Sequence, residues 1–483
     1  MQVKVELERR VWLLVTLALL VLLCFWGIGD LALLSTNEAR RAVTVREMFV
    51  AHDWLLPRMN GELYLAKPPL FYWLALIPTH LAGAVSELTV RLPSAIFGLA
   101  SIAGAFYCGN RIGGRSLGLY SAIILGANAT FSLFARSAEI ESSLTGFCFL
   151  SLLCAWIYLF VDGRRRWSLL SYLLLGGALL SKGPVALLLV TLPVLVFTLI
   201  RRPERGRQYL CDVPGWLIAL FLGIVWYAAV TAHEGFDVWK AIFKQDIVDK
   251  IGGQGADHWY AYLLYVAGDF APFCLLLFFR PLQLWRQIRQ DPRLLLLACA
   301  VLVPLLVFSL FSDKHAKYLL PTYPALAILI AWHWCQVLAP LAGWKRKLME
   351  WFPLVLLAGF VGFYGLAMKK VYDYRLHAMP QITRAAEAYP QLPIYSLELP
   401  DMRLVYYAGR QVKIITPADL PSIDEGLLFI RGDLPPELNI DPRCVSAQIP
   451  KYLSKHKGLQ AVLLGKSCTA GGNVAQVPAA PAS

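Results

Sequence analysis

The chain is predicted to be a polytopic α-helical membrane protein with a small α/β domain at its C-terminal end, outside the membrane. Three observations predict this. Apolar residues fill 58% of the 483 positions and mean hydropathy is +0.55, above the apolar share of a soluble protein. They recur in runs near the ~20 residues that a helix needs to cross a bilayer. After Lys369 the long runs end, and short strand-like and helix-like stretches alternate.

The first run covers 11–34. It is too long for a signal-peptide core and lacks a small-residue cleavage site, so it is expected to be a retained span. Further runs fall at 92–110, 117–135, 143–161, 167–181, 184–200, 214–232, 260–279, 294–311, 319–338 and 351–368. Together they suggest about eleven crossings. The break at Ser181-Lys182-Gly183-Pro184 leaves two readings open, a pair of spans or one long kinked element.

The net charge of +13 comes from 45 basic and 32 acidic side chains. Its placement is topological. Arg111 and Arg115, Arg164-Arg165-Arg166, Arg201 to Arg207, Arg280 to Arg293 and Lys345-Arg346-Lys347 fall on one side of the membrane if the N-terminus is cytoplasmic. The other side then holds 35–91, 136–142, 233–258, 312–318 and everything after 369. No basic stripe lies in a soluble domain, which excludes nucleic acid as a partner.

The segment 35–91 is too polar to cross a bilayer and too aromatic for a slack loop. Arg40, Arg41 and Arg46 share helical spacing with Glu38 and Glu47. Leu70 to Leu81 is expected to be an apolar helix at the membrane surface, with Phe71, Tyr72 and Trp73 at the interface. Between them, Lys67-Pro68-Pro69 holds a cation close to lipid. The expected domains are therefore a membrane domain over 1–369 that includes this loop, an α/β domain over 370–468, and a disordered Ala-, Gly- and Pro-rich tail over 469–483. Strands are expected at Ile394–Leu397, Val412–Thr416, Leu427–Arg431 and Ala461–Leu464, and helices at Pro380–Tyr389 and Asp401–Ala408. Of ten cysteines, only Cys444 and Cys468 lie in the external domain, where an oxidising compartment would pair them.

Polar residues on the external side gather in five places: Asn37-Glu38; Lys67; Arg136 to Glu141; the 233–258 loop with Lys250 and His258; and Ser312 to Tyr318. Ionisable groups at span ends are functional candidates. Carboxylates with fixed cations suit a reaction on a phosphate-bearing lipid. A carboxylate orients or deprotonates a hydroxyl, and cations or a divalent metal stabilise a departing phosphate. Glu38, Glu139 and Glu141 are candidates for the base. Lys67, Lys250, Lys314, Lys317 and Tyr318 are candidates for the phosphate site, and Arg40, His258, Trp259 and Tyr260 for substrate contacts. No Cys/His spacing marks a metal site, so no metal ligands are assigned; no cofactor is identified as required, and a divalent metal stays open.

The elements Asn37-Glu38-Ala39-Arg40, Arg46-Glu47-Met48, Asp53-Trp54-Leu55-Leu56-Pro57, Asn60-Gly61, Lys67-Pro68-Pro69, Tyr72-Trp73 and Val90-Arg91-Leu92-Pro93 appear in one order. In this the chain resembles the aminoarabinose-transferase and protein-mannosyltransferase-like glycosyltransferases of the C-type (GT-C) membrane superfamily. The resemblance covers roughly residues 10–340. It implies the GT-C fold, a polyprenyl-phosphate-linked sugar donor and an inverting transfer to a lipid or glycan acceptor of the envelope, with lipid A or lipopolysaccharide the leading class. It also implies a bacterial inner-membrane location. The family's phosphate-binding lysine matches Lys67, its second aspartate matches Glu141, and its Lys/Tyr/Pro pattern matches Lys314, Lys317, Tyr318 and Pro321. Three positions depart. The acidic residue that precedes the family's lysine is Ala66 here, which removes a carboxylate that a metal there would use. The family's first aspartate is Asn37 here, and an amide cannot be a base. A family arginine in the 233–258 loop matches Lys250, which keeps the charge without the bidentate fork. Rival readings are a protein O-mannosyltransferase-like enzyme, a lipid or sugar transporter, and a non-catalytic relative. A transporter would place charges at the midplane and show repeated halves, and this chain shows neither.

Overall fold

The computed structural model describes residues 2–33, 35–239, 258, 260–312, 314–438, 440–454 and 457–469. The expected tail over 469–483 lies outside them except for Thr469. The chain forms two compact units. The first comprises Met1–Ile28, Leu65–Pro78 and Arg91–Gly365; the second comprises Gly29–Tyr64, Thr79–Val90 and Leu366–Ser483. Most of the 35–91 segment therefore groups with the C-terminal residues, although it lies far from them in sequence.

The first unit is a helix bundle. Among the described residues, five helices are long and apolar enough to cross a membrane: Glu87–Gly113, Ile140–Phe160, Val213–Glu234, Pro292–Ser309 and Gly343–Val371. Other expected crossings are built from shorter pieces. The run at 117–135 divides into Arg115–Gly126 and Ala129–Phe134. Asn128 caps the second piece by accepting from the Phe131 N–H at 2.8 Å. The run at 260–279 divides into a helix, Ala261–Asp269, and a 3-10 segment, Phe273–Phe278.

The break near Lys182 is a true turn. The helix Arg165–Lys182 ends at Gly183, which takes φ 75° and ψ −152°, and Pro184 follows. This backbone region is almost closed to residues with a Cβ. A π-turn, Leu187–Thr191, then leads into Leu192–Arg201. The chain returns to where the hairpin began, since Arg165 pairs with Asp212 at 2.9 Å and Tyr172 stacks on Tyr209 at 4.9 Å. Small residues let the next helix approach. A Cβ on Gly215 would lie 2.2 Å from the Tyr172 ring, and one on Gly223 would lie 2.9 Å from Leu179.

Two buried arginines tie down the end of the first helix, Gln2–Phe25. Arg136 donates to the carbonyls of Leu23 and Trp26, and Arg91 donates to Ile28 O at 2.7 Å. Arg136 also lies over the Tyr364 ring at 5.0 Å. These carbonyls have no partner within the helix, and a guanidinium both bonds them and answers the helix dipole. Arg136, grouped by sequence with Glu139 and Glu141, is thereby engaged in structure.

In the second unit, a five-stranded sheet runs in the order β4-β3-β5-β7-β6, with β3 at Ile394–Ser396, β4 at Val412–Ile414, β5 at Glu425–Arg431, β6 at Val445–Ser454 and β7 at Lys457–Gly465. β3 pairs parallel with β4 and β5, and β7 pairs antiparallel with β5 and β6. The core beneath it holds Leu428, Ile430, Cys444, Val462 and Leu464. Cys444 and Cys468 form the expected disulfide. Sequence patterning missed β6, whose run contains Pro450 and several polar residues. It also carried β4 two residues too far; Thr416 instead begins a capping box with Asp419.

The helix Thr36–Ala51 belongs to this unit, beside the helix Met402–Tyr407. Arg46 donates to the carbonyls of Val405 at 3.1 Å and Tyr406 at 2.7 Å, ending the second helix. At its start, Asp401 caps Arg403 N and pairs with the Arg403 side chain at 2.8 Å, while Thr36 Oγ1 donates to Asp401 at 3.1 Å. Tyr407 OH accepts from Leu33 N at 2.9 Å and donates to Glu87 at 2.7 Å. A hairpin of β1, Arg58–Met59, and β2, Glu62–Leu63, turns at Asn60-Gly61 with φ 58° and 86°. Glu47 accepts from both turn N–H groups, at 2.7 and 3.0 Å. The Asn60 amide bonds Val412 N at 2.8 Å and Val412 O at 2.9 Å, closing part of the β4 edge.

Candidate functional site

One end of the bundle gathers four charged side chains. Glu141 lies in the first turn of Ile140–Phe160, where the helix dipole favours a carboxylate. Hydroxyls hold that turn: Ser142 Oγ donates to Ser94 O at 3.1 Å, Ser94 Oγ to Glu139 O at 3.4 Å, and Thr145 Oγ1 to Glu141 O at 2.7 Å. Lys182 is the last residue of Arg165–Lys182, where the dipole favours a cation. Its Nζ donates to Glu141 Oε1 at 3.0 Å. Lys317, on the 3-10 segment Ala316–Thr322, reaches the same oxygen at 3.6 Å. Tyr318 offers its ring to Lys182 Nζ, 5.0 Å from the centroid, and Phe308 and His315 pack against that ring. Lys67, half-buried before the buried Pro68 and Pro69, lies close enough to Lys182 for their charges to repel.

Two ammonium groups, those of Lys182 and Lys317, therefore share the Glu141 carboxylate, and Lys67 adds a third cation close to Lys182. Glu141 holds Lys182 and Lys317 together. Glu141 and Lys182 are both largely buried, with side chains 7% and 19% exposed. A pair in such surroundings interacts far more strongly than one in water.

Of the residues singled out by sequence, Glu141, Lys67, Lys317 and Tyr318 come together. Lys182 joins them, although sequence reasoning treated it only as part of a doubtful span break. A signal was present: alternating topology puts the 182–183 turn on the same face as 136–142 and 312–318, and a lysine within an apolar run is costly. Lys314 is buried and donates to Phe311 O at 2.6 Å, so its ammonium is engaged beside the end of a helix. Glu139 is the buried N-cap of the Glu141 helix. Tyr260 stacks face to face on His258, with centroids 5.0 Å apart. Lys250 and Trp259 lie outside the described residues.

Asn37, Glu38 and Arg40 belong to the other compact unit, in the first turns of Thr36–Ala51. Ser35 Oγ caps this helix by accepting from Glu38 N at 3.0 Å. Asn37 is half-buried, Arg40 is exposed, and Glu38 is 1% exposed. Surroundings shift the titration of two groups in this unit, Asp401 and Tyr407. Burial alone would raise the Asp401 carboxyl, but the bonds and charge of Arg403 hold it below the usual carboxylate range. Burial, and then the Glu87 carboxylate, pushes the Tyr407 phenol up. Among the described residues no three His, Cys, Asp or Glu side chains gather as a metal-ligand set.

The comparisons with known proteins agree with this architecture. The family model described as dolichyl-phosphate-mannose-protein mannosyltransferase matches residues 66–233. An undecaprenyl phosphate-alpha-4-amino-4-deoxy-L-arabinose arabinosyl transferase of Pseudomonas fluorescens is 30% identical over 371 residues, covering 73% of this chain and 66% of its own length. An uncharacterised protein of Aquifex aeolicus is 29% identical over 323 residues, covering 66% of this chain and 63% of its own. The chain thus spans about two thirds or less of the length of the curated relatives it matches. Among solved structures, ArnT from Cupriavidus metallidurans bound to undecaprenyl phosphate aligns with TM-score 0.77 at 19% identity, over 93% of this chain and 98% of that one. An oligosaccharyltransferase of Archaeoglobus fulgidus aligns with TM-score 0.55 at 11% identity, over 84% of this chain and 64% of that one. The structural likeness to ArnT, over 93% of this chain, extends past residue 340. With its apolar helix bundle, its appended sheet and this agreement of motif, sequence and fold, the chain belongs to the ArnT-like family of GT-C membrane glycosyltransferases.

Proposed function

We propose that this protein transfers a sugar from a polyprenyl-phosphate donor to an envelope acceptor at the external face of the inner membrane. A lipid A or lipopolysaccharide component is the leading acceptor class. The observation that carries the reading is the gathering of three lysines at one end of the bundle: Lys182 and Lys317 pair with Glu141, and Lys67 lies close enough to Lys182 to repel it, which sets three cations together for a phosphate. The names of the arabinosyl transferase relatives and the undecaprenyl phosphate bound to the Cupriavidus ArnT are consistent with such a donor.

In the reaction, the bond from the anomeric carbon to the donor phosphate oxygen breaks and a bond from that carbon to an acceptor oxygen forms. The electron pair leaves with the phosphate, which the lysines stabilise. The hydroxyl proton passes to a carboxylate, Glu141 or Glu38. A single displacement inverts the anomeric centre. The N-terminus lies in the cytoplasm, the chain crosses the membrane about eleven times, and the C-terminal domain lies outside.

The test is sugar release or transfer by the purified full chain from a radiolabelled polyprenyl-phosphate sugar. Absence of turnover would favour a transporter or a non-catalytic relative. Lys67→Met and Lys182→Met should each lower turnover by about 10²–10³-fold, the range for losing one group that stabilises developing charge. Activity within threefold of the parent would make either lysine an anchor and remove it from the phosphate site. The protein-mannosyltransferase name of the matching family model favours one second reading, transfer to protein. Mass spectrometry of envelope lipids and glycoproteins from cells with and without the protein separates the two.

A further inference from the structure

At the opposite end of the bundle from Glu141, the helix Pro281–Gln290 has two unlike faces. Leu284 and Ile288 are buried against the bundle. Leu282 and Trp285 are exposed, as is Phe278 just before the helix, at 74%, 42% and 80%. Arg280, Arg286 and Arg289 are exposed beside them, and so are Arg201 and Arg202. The Arg201 guanidinium donates to Arg289 O, joining the two basic segments. No carboxylate among the described residues pairs with these five arginines. Next to them is an open cavity of about 560 Å³ lined by Phe160, Gln287, Gln290, Asp291, Arg293 and Trp332. Arg293 is neutralised by Asp291 at 2.8 Å, and Trp332 Nε1 donates to Gln287 at 3.1 Å. Gln287 and Gln290 of this helix line the cavity, and Arg286 lies one turn before Gln290 on the same face, at a spacing of four.

We propose that this end of the bundle binds an anionic phospholipid, with its phosphate between Arg201, Arg286 and Arg289 and its glycerol region at the cavity mouth. Phe278, Leu282 and Trp285 lie against the acyl chains. Charge bias in loops requires only arginines. It does not require exposed apolar side chains on the same helix, nor a cavity beside them. An amphipathic helix with arginines on its polar side is a surface for anionic headgroups. The site is separate from the Glu141 cluster and does not depend on any donor chemistry.

The full chain, purified in detergent, is titrated with cardiolipin, phosphatidylglycerol or phosphatidylcholine of matched acyl chains, and retained lipid is read by native mass spectrometry. Both anionic lipids should be retained in preference to phosphatidylcholine. Arg286→Gln and Arg289→Gln should each weaken that retention by about fivefold, the loss expected per basic residue at a charged lipid surface. Both positions are exposed, so folding is unaffected. Lys347→Gln, at the same end but away from the cavity, should retain lipid as the parent does. Equal retention of the three lipids, or retention unchanged in both arginine variants, overturns the proposal.

Discussion

Lys182 illustrates how a single residue acquires a role from its surroundings. By itself it is a lysine at a helix end, favoured by the dipole and costly in an apolar run. Opposite Glu141 at 3.0 Å, with Lys317 and Lys67 nearby, it becomes part of the proposed phosphate site. The same contacts bear on the choice of base. A carboxylate held by two ammonium groups is stabilised as the anion and suits an organising role. Glu38, 1% exposed, belongs to the other compact unit. If Glu141 takes the proton, Glu141→Gln should abolish turnover with donor affinity little changed, while Glu38→Gln keeps measurable activity. The opposite pattern assigns the base to Glu38. Substantial turnover in both variants would rule out this pair of candidates and leave Glu139. Asn37 can orient a hydroxyl but cannot accept its proton, so Asn37→Asp should be tolerated if the position only varies the family pattern.

Among the elements, the hairpin turn at Gly183 sets where Lys182 ends up. Its φ of 75° and ψ of −152° suit glycine, and only Tyr227 OH approaches its Cβ position, at 3.8 Å. The expected cost of Gly183→Ala is therefore backbone strain, about 1–3 kcal/mol. A lower melting temperature in detergent with reduced turnover per folded molecule would show it; an unchanged melt would mean that the turn tolerates a side chain. The clamp between Thr36–Ala51 and Met402–Tyr407 depends on pH. The Asp401 carboxyl is held below its ordinary value, so its contribution to stability is present above the unfolded carboxylate value of about 3.9 and is lost as pH falls through the lower folded value. Melting temperature should thus fall more steeply with acid in the parent than in Asp401→Asn, from just above pH 4 downward. Parallel curves for the two proteins would remove Asp401 from that dependence.

For the whole molecule, the expectations concern topology and compartment. A reporter that works only outside the cytoplasm, fused after Ser483, should be active, because an odd number of crossings from a cytoplasmic N-terminus leaves the sheet domain external. Cytoplasmic activity would overturn that orientation. The Cys444–Cys468 disulfide closes a loop with a sequence separation of 24. On the chain-entropy account it adds about 3 kcal/mol to the domain that holds it. Peptide mapping without reductant should recover the two cysteines as one linked pair, and two free thiols in fresh protein would contradict the bond.

The sequence by itself determined the class of protein, the apolar runs, the Thr36–Ala51 and Leu70–Ala82 helices, the pairing of Cys444 with Cys468, and the candidacy of Lys67, Glu141, Lys317 and Tyr318. These are local or compositional signals. Hydropathy repeats over a span, a helix shows its period within two turns, and only two cysteines occupy the expected external domain. Only the tertiary structure decided that Lys182 shares Glu141 with Lys317, that Arg136 and Arg91 hold the carbonyls of the first helix, that Lys314 bonds Phe311, and that β6 completes the sheet. It also decided that Asn60, in the first loop, closes the edge of β4 some 350 residues later, with |i−j| of 352. Each of these depends on partners remote in the chain. A side chain's charge is written in the sequence, but what neutralises it is set by which helix ends meet, and packing alone brings those together.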